Sequence, residues 1–293
     1  MSVHSFPLDQ ASGLRQSVAQ QPVRVIAVSG GKGGVGKTVV SVNLSMALAA
    51  KNRRVVLMDA DLGLANIDVC LGLQAERNLS HVLDGSCTLD DIIIDGPGGI
   101  KIVPASSGVR QLADTSPAQN SGLIWAFSEM NTPVDDLVID TAAGINDSVI
   151  RFSAAAQEVV IVVCDEPASI TDAYALIKLL SRDHGVKRFN ILANKTRGAV
   201  DGRQLFTKLS TVAQRFLDVG LTYIGHVPQD SSVSKSIQQQ SPVVERFPNS
   251  RAAKAFADIA TTVNRWPAAS LSTGNIEFFA ERLVAALPER SAL

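Results

Sequence analysis

A chain of 293 residues can form one large domain or two small ones and bury roughly three quarters of its unfolded surface. With 46% apolar and 19% charged residues it is composed like a globular protein, which excludes a disordered or collagen-like chain. Lys+Arg 27 against Asp+Glu 28 leaves a formal charge of -1, so no global field would hold nucleic acid or an anionic membrane and any such contact must be local.

Residues 1–21 are polar and lack the apolar run of a signal peptide, which predicts a mobile arm. Pro22 separates this arm from a dense apolar run over 23–28. Further β-branched runs follow at 54–58, 100–103, 136–139, 159–164, 189–193 and 221–227, and several have no polar face. Helix-length segments lie between them, at 38–50, 170–180, 202–216 and 249–265. Strand alternating with helix predicts an α/β domain over 22–266 built around a parallel sheet, with a linker and a last helix in 267–293. No apolar stretch approaches the roughly 20 residues of a spanning helix. Cys70, Cys87 and Cys164 are odd in number and form no CxxC pair, which argues against disulfide, zinc-ribbon or iron–sulfur chemistry and predicts packing residues in a reducing cytoplasm.

Directly after the first strand, Gly30-Gly31-Lys32-Gly33-Gly34-Val35-Gly36-Lys37-Thr38 satisfies GxxxxGK[ST] from Gly31 to Thr38. The preceding strand and following helix supply the context this motif requires. Its glycines let successive N–H groups point at phosphate oxygens, and the helix opening at Thr38 adds its positive end. Lys37 is placed to neutralise the β/γ phosphates, and the Thr38 hydroxyl to ligate Mg2+. Asp140 ends a strand, where a carboxylate beside the loop supplies the charge that Mg2+ or its water shell needs. Asn194-Lys195-Thr196-Arg197 also ends a strand, but the carboxylate of a guanine-reading NKxD is Arg197 here. GTP is therefore disfavoured and ATP expected.

The form KGGVGKT resembles the deviant P-loop of the MinD/ParA family, whose second lysine, here Lys32, reaches across a dimer to the other subunit's nucleotide. Asp59-Ala60-Asp61 is similar to the family's first switch, and Asp140-Thr141-Ala142-Ala143-Gly144 to its second. The resemblance implies a three-layer P-loop fold, its mostly parallel twisted sheet covered by helices on both faces. It implies ATP along Gly31, Lys32, Gly33, Gly34, Val35, Gly36, Lys37 and Thr38, with Asn194, Pro228 and Asp230 cradling adenine. Mg2+ falls to Thr38, Asp61 and Asp140, and catalysis to Asp61, Lys32 and Lys37, with Asp61 positioning the attacking water and Asp59 in support. Glu166 and Asp172 are implied at the dimer face near the incoming Lys32, although helix capping reads nearly as well for this segment. Hydrolysis is expected to be slow until a dimer or partner completes the site, since an inserted cation can contribute roughly 10³–10⁵ in rate.

The two ends carry further signals. Ile276, Phe279, Ala280, Leu283, Val284 and Leu287 recur at spacings of three and four, with Glu277, Glu281 and Arg282 off that stripe. Such a stripe either docks on its own domain or meets a membrane. The resemblance implies reversible membrane contact by Ile276, Phe279, Leu283, Val284 and Leu287 in the ATP dimer, and docking with ADP. In the arm, Asp9-Gln10-Ala11-Ser12-Gly13-Leu14-Arg15 resembles the DQAxxLR element of the FlhG (FleN) branch, MinD-type ATPases that set the number and placement of bacterial flagella. That resemblance implies contact of Asp9, Gln10, Leu14 and Arg15 with the GTPase FlhF. It further implies flagellar switch (C-ring) proteins and the flagellar transcription activator as partners. The place of action it implies is the cytoplasm, peripherally on the inner membrane at the cell pole.

Two other functions use the same loop: ParA-type DNA partitioning and division-site placement of the MinD type. Arg182, Lys187, Arg188, Lys195, Arg197, Arg203, Lys208 and Arg215 form a locally basic stretch. No aromatic or helix-turn-helix signature accompanies it, so direct DNA binding is not expected. A metabolic ligase would need a further nucleophile or substrate constellation, and none is visible.

Overall fold

Apolar runs without a polar face have to be covered on both sides, and here they build the middle of an eight-stranded sheet. The computed structural model describes residues 22–61, 66–104, 124–267 and 276–285. In chain order the elements are β1 (Arg24–Ser29), α1 (Lys37–Ala49), β2 (Val55–Ala60), α2 (Ile67–Leu71), α3 (Leu79–Leu83), β3 (Ile94–Asp95), β4 (Lys101–Val103) and β5 (Asp136–Thr141). These are followed by α4 (Asp147–Ala155), β6 (Glu158–Val163), α5 (Pro167–His184), β7 (Arg188–Thr196), α6 (Ala199–Phe216) and β8 (Gly220–Pro228). The chain continues through α7 (Ser231–Gln238), α8 (Val243–Arg246), α9 (Arg251–Asn264) and α10 (Ile276–Ala285). The sheet order is β3-β4-β2-β5-β1-β6-β7-β8, and only the β3–β4 pair is antiparallel.

The strand alternation sorts the core. Ile26 and Val28 face α1 and α9, while Val25 and Ala27 face the opposite layer with α4 and α10. Ala27 pairs with Val159, whose neighbours Ile161 and Val163 extend that second layer under α5 and α6. The three-layer α/β architecture expected from the sequence is therefore present. At the end of the sheet away from the glycine loop, Asp136 is fully buried and receives Arg24 Nε at 2.7 Å and Arg53 Nε at 2.8 Å. Arg24 also donates to the Val263 carbonyl, tying β1, β5 and α9 together; removing one member of such a group strands a buried charge.

Strand ends differ from the sequence reading in one consistent way. β2, β5 and β7 run on to Ala60, Thr141 and Thr196, so Asp59, Asp140 and Asn194 lie inside strands. The apolar pattern stops at polar residues, yet the ladder hydrogen bonds continue past them. Short elements such as α2, α3, β3, α7 and α8 carry too few residues to show a period.

The expected stripe on the last helix is buried against its own domain. Ile276, Phe279, Ala280 and Leu283 sit in the second layer, and the Phe279 ring meets Phe127 edge-on at 5.7 Å. Arg282 donates to the Ala154 carbonyl at the carboxyl end of α4. Val284 is half-buried, and Leu287 lies outside the described residues, as does the whole arm 1–21 with Asp9, Gln10, Leu14 and Arg15. Truncating Phe279 to Ala removes a fully packed ring and is expected to lower unfolding free energy by about 3 kcal/mol. Urea denaturation measures this; unchanged stability would mean that α10 contributes nothing by docking.

Candidate nucleotide-binding site

β1 lies at the centre of the sheet, between β5 and β6, and the glycine loop leaves its carboxyl end. Gly34 and Gly36 adopt φ of 78° and 93°, a left-handed backbone that other residues resist. Two further close approaches fix the loop. A side chain at Gly31 would strike the Asp172 backbone at 2.3 Å, and one at Gly36 would strike Asn194 Nδ2 at 2.4 Å. Beside the loop opens a cavity of about 540 Å³ that Gly34, Gly36, Lys37, Thr38 and Asp61 help to line.

Under this cavity lies Asp140, 1% exposed. Its Oδ1 accepts from Ser41 Oγ at 2.9 Å and the nearby Thr38 hydroxyl favours its charged form, but its buried Oδ2 has no partner. Burial pushes the Asp140 carboxyl up to about 7. Buried Lys37 is pulled below the usual lysine range by desolvation, which Asp140 and Asp61 oppose. An orphaned buried carboxylate oxygen next to a threonine hydroxyl, with Asp61 on the same cavity, suits a hard divalent cation. Thr38, Asp61 and Asp140 fit Mg2+.

Asp59 organises the chain that follows β2. It accepts the N–H groups of Asp61 at 3.0 Å, Asn66 at 2.9 Å and Ile67 at 3.1 Å, while burial pushes its carboxyl up to about 6. Asn66 Nδ2 in turn donates to Asp61 Oδ2 at 3.0 Å and orients it. Lys32 is paired with Glu166 of its own chain, which holds the lysine above and the glutamate below their ordinary pKa ranges. Gly31 packs against Asp172, so Glu166, Asp172 and the start of the loop are neighbours within one subunit.

The three residues assigned to adenine part company. Asn194 is buried against the loop, donating Nδ2 to the Val35 carbonyl at 2.7 Å. Pro228 ends β8 opposite Thr196 and does not line the loop cavity. Asp230 spends both carboxylate oxygens on helix starts, accepting from Ser232 N at 2.9 Å and Ala252 N at 3.1 Å. Sequence reasoning missed Ser41, Asn66, Val69, Cys70, Ile237 and Gln240 at this site. Ser41 was findable, one helical turn after Lys37; the others carry no local signal.

Residues 26–243 match the CobQ/CobB/MinD/ParA nucleotide binding domain, CbiA. The chain belongs to this family. It is 57% identical to the Antiactivator FleN of Pseudomonas aeruginosa over 92% of this chain and 97% of that protein. With the Flagellum site-determining protein YlxH of Helicobacter pylori it shares 32% over 89% of this chain and 87% of that one. Both relatives support its place in the FlhG (FleN) branch of the MinD-like proteins. Among solved structures, the septum site-determining protein MinD of Pyrococcus horikoshii, complexed with Mg-ADP, is 26% identical. It superposes with a TM-score of 0.67 over 83% of this chain and 96% of that one. The chain is thus a nucleotide-binding protein of an ATPase family.

The buried acid makes a pH prediction. The folded pKa of Asp140, about 7, exceeds the ordinary 3.8, so without a cation the fold keeps a proton that the unfolded chain has lost between those values. Its contribution to stability therefore falls as pH rises through that window. Asp140→Asn is expected to flatten this part of the profile, raise the melting temperature in chelator above neutral pH, and abolish stabilisation by MgADP. Thermal denaturation checks all three, and a variant profile that matches the wild type would contradict the burial account.

Proposed function

We propose that the protein is an ATP-dependent dimerising switch that regulates the number and placement of bacterial flagella. The coincidence of a P-loop carrying the second lysine with likeness to Antiactivator FleN over nearly the whole chain carries this reading. ATP binds with its phosphates in the Gly31–Thr38 loop and Asn194 at the base side. Thr38, Asp140 and Asp61 would hold Mg2+, which would supply charge neutralisation at the β/γ phosphates. Asp61, oriented by Asn66, positions the attacking water, and Lys37 stabilises charge on the transferring group.

In the monomer Lys32 is tied to Glu166 on an exposed surface, a pair that solvent screens and that little energy is needed to open. On dimerisation Lys32 crosses to the other subunit's nucleotide, with Glu166 and Asp172 at the interface, so hydrolysis is slow until the dimer or a partner completes the site. The docked α10 makes ADP the retracted state; with ATP, Ile276, Phe279, Leu283 and Val284 leave the domain and, together with Leu287, meet the inner membrane at the cell pole. The arm, through Asp9, Gln10, Leu14 and Arg15, meets the GTPase FlhF. The remaining partners are flagellar switch (C-ring) proteins and the flagellar transcription activator, which the protein restrains.

DNA partitioning is the lesser reading because the basic stretch is partly neutralised: Arg197 pairs with Asp201, Lys208 with Asp165 and Lys187 with Asp218. Molar mass by light scattering tests the switch. Asp61→Ala with ATP is expected to double in mass and with ADP to remain monomeric, while Asp61→Ala combined with Lys32→Ala stays monomeric with either. A monomer under all conditions contradicts the reading.

A further inference from the structure

A peptide plane is trans, so its C=O and its N–H point in opposite directions. A loop that turns N–H groups toward an anion must therefore turn the carbonyls of the same planes outward, and those carbonyls need partners of their own. In this chain two successive outward carbonyls find partners from one place, the carboxyl end of β7. Asn194 Nδ2 donates to the Val35 carbonyl at 2.7 Å, and Lys195 Nζ donates to the Gly34 carbonyl at 2.7 Å. The first contact sets the Gly36 N–H and the second the Val35 N–H on the inner side of the loop. The Asn194 amide is itself oriented, because its Oδ1 accepts from Lys195 N at 2.9 Å.

The backbone shows that Lys195 is held in place for this. It is the extra residue of an irregularity in the β7–β8 ladder, where Asn194 pairs with Val227 and Thr196 already pairs with Pro228. Its φ is 55°, a left-handed conformation that glycine or asparagine adopts at less cost than lysine. A strained lysine persists where its side chain does something the relaxed residue cannot.

We infer that Lys195 is a positioning residue of the nucleotide site: its ammonium anchors the Gly34 carbonyl and so presets the Val35 N–H toward the phosphates. This rests on the reading that the loop binds nucleotide phosphate. Lys195 does not touch the reacting atoms; it acts through the loop backbone, so it supports the phosphates common to ADP and ATP. The contact is solvent-exposed, which places its effect at the low end for a charged hydrogen bond.

Calorimetric titration of the full chain with MgADP and with a non-hydrolysable MgATP analogue tests it, using wild type, Lys195→Met, Lys195→Gly and Lys195→Arg. Met and Gly variants are expected to lose roughly five- to tenfold in affinity for both nucleotides equally, and Arg to stay within about twofold of wild type. Lys195→Gly relieves the backbone conformation and keeps the test open should Lys195→Met fold poorly. Unchanged affinity in the Gly variant overturns the inference. A loss confined to the ATP analogue overturns it too, since that would make Lys195 a direct γ-phosphate ligand, as does a loss in Lys195→Arg as large as in Lys195→Gly. Wild type that binds neither nucleotide removes the reading beneath it.

Discussion

Backbone N–H groups can face phosphate only where the carbonyls of the same peptide planes are satisfied elsewhere. The fold meets this condition at one point. A central parallel strand ends between two neighbours, so its loop emerges at the carboxyl edge of the sheet with β5 and β6 on either side. β5 brings Asp140 beneath the loop, β2 brings Asp59 and Asp61 beside it, and β7 brings Asn194 behind it. Four strand ends of different sequence position thus converge because the parallel sheet places every carboxyl end on the same side.

Convergence puts like charges close together in a buried place. Asp59 and Asp140 are both held above the ordinary carboxylate range, mainly by desolvation; Asp61 adds to the rise of Asp59, and Asp59 to that of Asp140. Among the described residues, Lys37 and hydroxyl or backbone donors offset this. A cation bound at these carboxylates would offset their desolvation and so add to the stability of the fold. The segment that follows β5 leads into α4, and α4 ends at the carbonyl that Arg282 of α10 caps. One short helix connects the nucleotide edge to the docked tail.

The layer architecture and the phosphate loop were legible because both rest on local pattern: β-branched runs without a polar face, and a glycine-lysine motif between strand and helix. Asp59 and Asp61 were singled out by resemblance and Asp140 as an acid closing an apolar strand; the structure pairs Asp59 with Asp140 across β2 and β5 and bonds Asp61 N to Asp59. What stayed hidden depends on contacts distant in sequence. Asp230 starts α7 and α9 with its two oxygens, and the second of these contacts spans 22 residues that no local pattern links. Lys32 and Glu166 read as partners across a dimer, yet they already meet within one chain, 134 residues apart. The tail stripe has the same periodicity whether it faces lipid or Phe127, so only the packing tells that it is covered.

The central claim is that nucleotide state decides whether α10 is docked. Amide hydrogen exchange over residues 276–285, in Asp61→Ala saturated with MgADP or with MgATP, measures it directly. The account predicts protected amides with ADP and fast exchange with ATP, together with new protection around Lys32 and Glu166. Equal protection of α10 under both nucleotides would make it a permanent part of the second core layer and contradict the switch.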